Sequence, residues 1–575
     1  MTDVTTAPGR GVTLSIGRFS PAVIALIVVL VAAIIPPFLF LGYSSLHLLD
    51  ARGGFGAFTF GNFAAVFTGP TLAPMLINSV LYPLGAAVLA LVLGAAQAWL
   101  AERTDATLRQ LLYATAIISL GIPYVLYIVA WLLFLGRAGP FNALLQRLFG
   151  GSGPYIDIYS LGGMIFVEGT LWSPFAFLLL APVLRNSDAA FEEAASMCGA
   201  GLSATFRRVT FGMVRPALLA LGLLVFIKAS EAFEVPALVG LPGSTRVLTS
   251  TIYQQLALAQ PPDIGRASAL GVFLLVVMFT LLQFYNRVAA RTHRYQSVTG
   301  KGFRPRVFRL GRWRHAAGAV VVAIPFIVVI IPLATIVWAA FLPYYQPFSI
   351  AALPKLGIGN FVEVLNAPSF RGSIFNTLVL GTSAATLVTV ISVIAGWCVA
   401  RHVAGSQLLD ALAALPLVFP AIVLGLAFLE IFVNLRGPVY GSLLSLVVVS
   451  TIAYLPYGLR YAQLGVIQIH PELEEAATLA GARQGKVLVR VVLPLLVPAM
   501  ISCWLFVFLI AVRAVSLLLL LVGPDSRIVA VALFDFWNNG QIGELAALGC
   551  VWTALMTVFS VSFLVLTRRY QLPLG

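Results

Sequence analysis

Glu192–Pro216 reads EEAASMCGAGLSATFRRVTFGMVRP, and Glu474–Pro498 reads EEAATLAGARQGKVLVRVVLPLLVP. At a shift of 282, Glu193-Ala194-Ala195 falls on Glu475-Ala476-Ala477, Gly199-Ala200 on Gly481-Ala482, and Pro216 on Pro498. Both stretches predict the same local structure. Acidic side chains suit the positive end of a helix dipole, so Glu-Glu-Ala-Ala begins a helix. Gly199 and Gly481 then permit a sharp change of direction after less than two turns. A second short helix feeds the next apolar segment through Pro216 or Pro498, and Ala on the exposed side lets a partner's backbone come close. One such loop would be an ordinary helical connector. Two copies at matching places point to a shared task.

The duplication runs through the chain. At a shift of 298, Gly61-Asn62-Phe63 recurs as Gly359-Asn360-Phe361, Asn78 as Asn376, Trp99 as Trp397, Arg103 as Arg401, and Gly139-Pro140 as Gly437-Pro438. The change from 298 to 282 reflects extra residues in the first copy near 141–160. Pro174 and Pro456 follow the later register.

The chain is 60% hydrophobic and 10% charged, with a mean hydropathy of +0.99 over 575 residues, so lipid must be part of its solvent. A crossing helix needs about 20 mostly apolar residues. Twelve segments qualify: 20–43, 77–100, 111–135, 161–183, 213–235, 267–286, 316–341, 375–399, 411–434, 441–459, 494–520 and 545–567. Irregular backbone cannot face lipid, so the fold class is an all-α polytopic membrane protein with about 12 transmembrane helices as two parallel six-helix repeats. The first half spans 1–286, with its loop at about 184–216. A basic linker covers 287–315, and the second half spans 316–575, with its loop at about 466–498.

The formal net charge of +14 does not indicate nucleic acid, because the basic residues sit between apolar runs. Most fall in alternate connections, above all Arg287, Arg291, Arg294, Lys301, Arg304, Arg306, Arg309, Arg312 and Arg314. Lys and Arg hold cytoplasmic loops, which places both termini and both repeated loops inside. Arg10 and Arg18 precede an uncharged run too long for a signal peptide, read as an uncleaved first span. Cys198, Cys398, Cys503 and Cys550 show no metal or disulfide spacing and read as small buried hydrophobes.

The pattern Glu-Ala-Ala, three residues, Gly-Ala, then a later Pro (Pro216 or Pro498) resembles the coupling-helix motif of binding-protein-dependent ABC importer permeases. The fused length, the paired Gly-Asn-Phe segments and Arg246–Tyr253 (RVLTSTIY) most resemble the ferric-iron transporter permeases. The resemblance implies an inner (plasma) membrane transport subunit with several partners: two copies of a cytoplasmic ABC ATPase, a periplasmic or extracellular solute-binding protein, and the bilayer. It implies ATPase coupling through Glu193, Ala194, Gly199, Glu475, Ala476 and Gly481, with Arg208 and Arg490 as further contacts. Two departures stand out. Phe211-Gly212 replaces the Leu-Pro seen at Leu493-Pro494, so the first exit is expected to differ. Arg513-Ala514 stands where the family often has Arg-Glu.

No phosphate-binding loop is present. Gly481-Ala-Arg-Gln-Gly485-Lys486-Val487 has short spacing and lacks the hydroxyl that meets Mg. ATP and Mg are therefore expected on the partner ATPase, with no cofactor on this chain and no catalytic residue. No outward loop is long enough for a solute-binding domain. Lys228, Glu231 and Glu234 stand at the end of the fifth span, and the spacing of the first two invites a salt bridge. In the repeat register Glu231 falls opposite Arg513. These residues either line the pathway or its gate, or orient the helix at the water interface. Glu168 and Glu430 are weaker candidates, and no metal ligands are assigned. Thiamine, phosphonate, sulfate or polyamine remain alternative substrates, and an ion-gradient-driven secondary transporter is the alternative of another class.

Overall fold

The computed structural model describes all residues except 1–20, 50–54, 152, 186–188, 293–306, 435–438 and 570–575. Gly437-Pro438, the N-terminal basic residues and the middle of the basic linker therefore lie outside the described residues.

Among the described residues, eleven helices are long and apolar enough to cross a membrane, or twelve if the bent pair Ser406–Val418 and Ala421–Asn434 counts as one span. The third span of each half differs from the continuous helix expected. It breaks at Gly121–Pro123 in the first half and at Phe419-Pro420 in the second, where the bend is 104°. Proline lacks an N–H and drives the residue before it out of the α region, so both helices restart after the ring.

The tightest packing within each half joins the second and fourth spans, Leu72–Arg103 with Leu161–Arg185 and Pro368–Ala400 with Leu443–Ile467. Small residues allow it. A Cβ on Gly94 would meet the Phe177 nitrogen at 2.8 Å, and one on Gly396 the Gln463 nitrogen at 2.9 Å. The halves are interlocked. The first span of each, Pro21–Ser45 and Ile331–Ala340 with its preceding turns, packs on its own half's sixth span and on the other half's third.

The repeated asparagines prove to be staples. Asn62 Nδ2 donates to the Ser45 and His47 carbonyls, and Asn360 Nδ2 to those of Ala340 and Leu342. Each holds a short helix, Gly61–Phe67 or Gly359–Asn366, against the end of a first span. Asn78 donates to the Arg246 carbonyl, and Asn376 to those of Asp525 and Arg527. These bonds pin the buried helices Leu248–Tyr253 and Val529–Asn538 between the fifth and sixth spans.

Cys398 and Cys503 are buried and Cys550 is partly so, but Cys198 is exposed. It follows Met197 at the end of the first repeated helix, where the chain has left the bundle.

Candidate functional site

The two repeated loops fold alike. Helices Ala189–Met197 and Glu472–Leu479 are each followed by a left-handed glycine, Gly199 at φ +81° and Gly481 at φ +84°. The Ala200 N–H bonds to the Ala195 carbonyl and the Ala482 N–H to that of Ala477, both at 3.0 Å. These bonds close the same helix-ending motif. No atom lies within 4 Å of a Cβ placed on either glycine, so backbone conformation alone demands the residue.

Beyond the glycine, the expected separate short helix is the start of the fifth span. Leu202–Thr205 and Gln484–Val487 pass through one wide π turn each, Phe206–Thr210 and Leu488–Val492, into Phe211–Glu231 and Leu493–Ala511. Pro216 and Pro498 lie inside the spans rather than at their entrances. The exits coincide, despite Phe211-Gly212 in one and Leu493-Pro494 in the other.

Successive helical residues point about 100° apart, so a Glu-Glu pair cannot face one way. The first glutamate turns inward. Glu192 accepts from Thr210 Oγ1 at 2.7 Å and pairs with Arg103 at 3.3 Å, both charged side chains being 0% exposed. Its counterpart Glu474 pairs with Arg401 at 2.7 Å and accepts from Trp397 Nε1 at 3.0 Å, with exposures of 13% and 18% for the two charged side chains. Arg401 also donates to the Ile469 carbonyl at 2.9 Å. Each loop is thus clamped to the end of its half's second span. The second glutamate, Glu193 or Glu475, is exposed, as are Ala194, Ala476 and both glycines. Arg208 and Arg490 are exposed on the same connections.

Sequence reading missed the clamp, although Arg103 with Arg401 and Glu192 with Glu474 were already aligned by the two registers. It also missed Met197 and Leu479, which the loop register aligns and which are 88% and 90% exposed. Phe191 and Leu473, also aligned, are exposed as well. Each loop therefore presents apolar side chains beside its exposed glutamate, the composition of a partner-binding surface.

The four remaining candidates meet at the seam between halves. Lys228 Nζ lies 2.9 Å from Glu231 Oε2 and 3.4 Å from the Tyr457 hydroxyl of the second half. The Arg513 guanidinium lies 4.3 Å from the centre of the Tyr124 ring of the first half. Arg513 falls just after the helix ending at Ala511, not within the span expected over 494–520. Glu234, 8% exposed, accepts from the Ser516 N–H at 3.3 Å. Ser516 is the repeat equivalent of Glu234 itself in the loop register, so Glu234 lies beside the axis relating the halves. Glu231 aligns with Arg513 in sequence, but the contact between equivalents is made one turn further along.

Glu168 and Glu430 are buried and held by neutral donors. Glu168 accepts from the Tyr82 hydroxyl at 2.7 Å and Trp172 Nε1 at 2.8 Å. Glu430 accepts from Ser268 Oγ at 2.7 Å and from Ser44 Oγ, which ties the second half's third span to the first and sixth spans of the first half. Among the described residues no group of three or more His, Cys, Asp or Glu could hold a metal ion.

Two interlocked repeats of membrane-type helices, each with a clamped, glycine-capped loop, define a polytopic membrane protein with a duplicated surface element. The profile of the binding-protein-dependent transport system inner membrane components matches residues 90–294 and again 388–571, and the chain belongs to that family. It is 26% identical over 446 residues to the ferric transport system permease protein FbpB of Actinobacillus pleuropneumoniae, covering 75% of this chain and 62% of that one. It is 28% identical over 408 residues to the putative ferric transport system permease protein FbpB 1 of Haemophilus influenzae, covering 69% and 62%. The match therefore spans 62% of the length of each of these two relatives. A shorter match, 30% over 194 residues, covers 33% of this chain and 64% of the sulfate transport system permease protein CysW of Escherichia coli. Among solved structures, a bacterial alginate ABC transporter in complex with alginate pentasaccharide-bound periplasmic protein aligns with 47% of this chain and 93% of its own. Its TM-score is 0.38 and its identity 18%.

Proposed function

We propose that this chain is the membrane-spanning permease of an ATP-driven importer, passing ferric iron received from a solute-binding protein. The observation that carries this reading is the pair of loops, each with one glutamate clamped inward and the next presented outward. A rigid, duplicated surface of this kind suits two copies of one partner, and an ABC ATPase dimer is such a partner. A secondary transporter needs no such pair. Arg185, Arg207, Arg208, Arg460, Arg483, Lys486 and Arg490 gather on the loop face, which supports a cytoplasmic location for that face and for both termini. Ferric iron as cargo rests on the names of the two FbpB relatives; the seam residues alone do not select a cation.

In this reading Glu193, Ala194, Glu475 and Ala476 touch the ATPase, Gly199 and Gly481 set the loop shape, and Arg208 and Arg490 lie at the rim. Lys228, Glu231, Glu234 and Arg513 form the gate at the seam, where carboxylates near the axis suit a hard cation. The test is a Glu193→Ala/Glu475→Ala double variant, which removes two exposed side chains and leaves the clamps intact. It should insert and fold as the parent does, yet lose co-purification with its ATPase and lose uptake. Normal uptake by that variant, with the ATPase still attached, would overturn the assignment.

A further inference from the structure

Between the second, fifth and sixth spans of the first half lies a cavity of about 350 Å³. Phe226, Leu274, Met278 and Leu281 line it, and so does Val80, which is 54% exposed. Val80 adjoins a row of exposed apolar residues, Ile77, Leu81, Leu84 and Val88, at helical spacing along Leu72–Arg103. That row is the face a span turns to lipid, so the cleft opens onto the bilayer. Four hydroxyls reach its wall, and each already donates within the protein. Ser79 bonds to the Met75 carbonyl, Ser230 to that of Phe226, Thr249 to that of Ala232, and Tyr82 to Glu168. A buried water needs two to four polar partners, and an apolar occupant needs none.

The second half supplies an internal control. Gly265 and Gly543 each press on a staple asparagine, Asn62 and Asn360, which fixes the sixth-span register at a shift of 278. With the fifth span at 282, Ser230, Leu274 and Leu281 correspond to Val512, Trp552 and Phe559. Val512 and Trp552 are buried, and the Phe559 ring packs 4.9 Å from that of Phe508. At these three positions the second half carries larger side chains, while Tyr82 has the smaller Leu380 as its equivalent. Phe273, where the second half has Val551, also runs the other way. It stands by the short helix Gly61–Phe67, its ring 5.2 Å from and edge-on to Phe67.

We propose that this cleft is a binding site for one acyl chain of a membrane phospholipid, present in the first half and filled by protein in the second. The occupant follows from continuity: the cleft is an inlet of a surface that lipid already covers, and its walls are apolar. Native mass spectrometry of the full-length chain, released from mild detergent after extensive washing, provides the test. The parent should retain one phospholipid. A Ser230→Val/Leu281→Phe variant, which copies the second half, should lose it at least tenfold. A Val512→Ser/Phe559→Leu variant should gain a second lipid, and it keeps the test open if the filled variant fails to fold. A parent carrying detergent only, or equal lipid occupancy in all three proteins, would overturn the proposal.

Discussion

The two repeated loops share a backbone but not a degree of attachment. In the first half the Arg103–Glu192 pair is sealed from solvent and Thr210 supplies a further bond. Beside it Arg185 makes a two-pronged contact with Glu102, which also accepts from the Tyr113 hydroxyl. In the second half the clamp is partly exposed, Val492 stands where Thr210 would be, and Ala400 and Ile467 replace Glu102 and Arg185. The first loop is therefore held by a sealed ion pair with a second contact beside it, and the second by a partly exposed pair that adds Trp397 and the Ile469 carbonyl. The two loops thus differ in how deeply their clamps are buried and in what surrounds them.

The largest expected effect breaks the sealed clamp. Arg103→Ala strands a buried carboxylate and should cost about 3–5 kcal/mol, whereas Arg401→Ala, at a partly exposed pair, should cost roughly 1.5–3 kcal/mol. Denaturation in mixed micelles measures both, and equal losses would erase the distinction. Replacing Arg103 and Glu192 together by Leu should recover most of the stability, since apolar side chains can fill a buried ion pair's place.

A smaller effect concerns the junctions between halves. Glu430 meets Ser44 and Ser268, while the equivalent positions, Leu132, Ala339 and Ala546, are all buried and apolar. Glu430→Leu alone should leave two buried hydroxyls without their acceptor and cost about 1–3 kcal/mol. Glu430→Leu with Ser44→Ala and Ser268→Ala, which copies the other junction, should be markedly more stable than the single variant. If the triple variant is no better, the two junctions are not interchangeable solutions to one packing problem.

The smallest effect should be the same in both loops. Gly199→Ala and Gly481→Ala each place a Cβ in left-handed backbone, at a cost of roughly 1–2 kcal/mol, with no steric clash at either site. Uptake should fall to a similar extent in the two variants. Unequal losses would locate the functional asymmetry in the caps rather than in the clamps.

The helices, the duplication and the two loops were legible in the sequence because each landmark appears twice on a fixed register. Gly199 and Gly481 were readable for the same reason, and so was the Lys228–Glu231 contact, which needs only helical spacing. The clamp was not read. Two adjacent glutamates look alike in a string, and Arg103 lies far from Glu192 along the chain, across the whole third and fourth spans. The breaks in the third spans were hidden because apolar content continues across Pro123 and Pro420. The exchange of Glu-Ser-Ser for Leu-Ala-Ala needs three registers at once. Those of the first and sixth spans emerge only when Asn62 and Asn360 are seen anchoring equivalent chain ends. Cys198 was misplaced because free cysteine is among the most often buried residue types, whereas the helix it follows stands clear of the bundle.

Photo-crosslinking from position 194 and, separately, from position 476 tests most directly whether these loops grip a nucleotide-hydrolysing partner. With a photoreactive amino acid replacing Ala194 or Ala476 in the assembled transporter, both sites should give adducts with the ATPase subunit and none with the solute-binding protein. Adducts with the solute-binding protein, or no ATPase adduct from either site, would contradict the account.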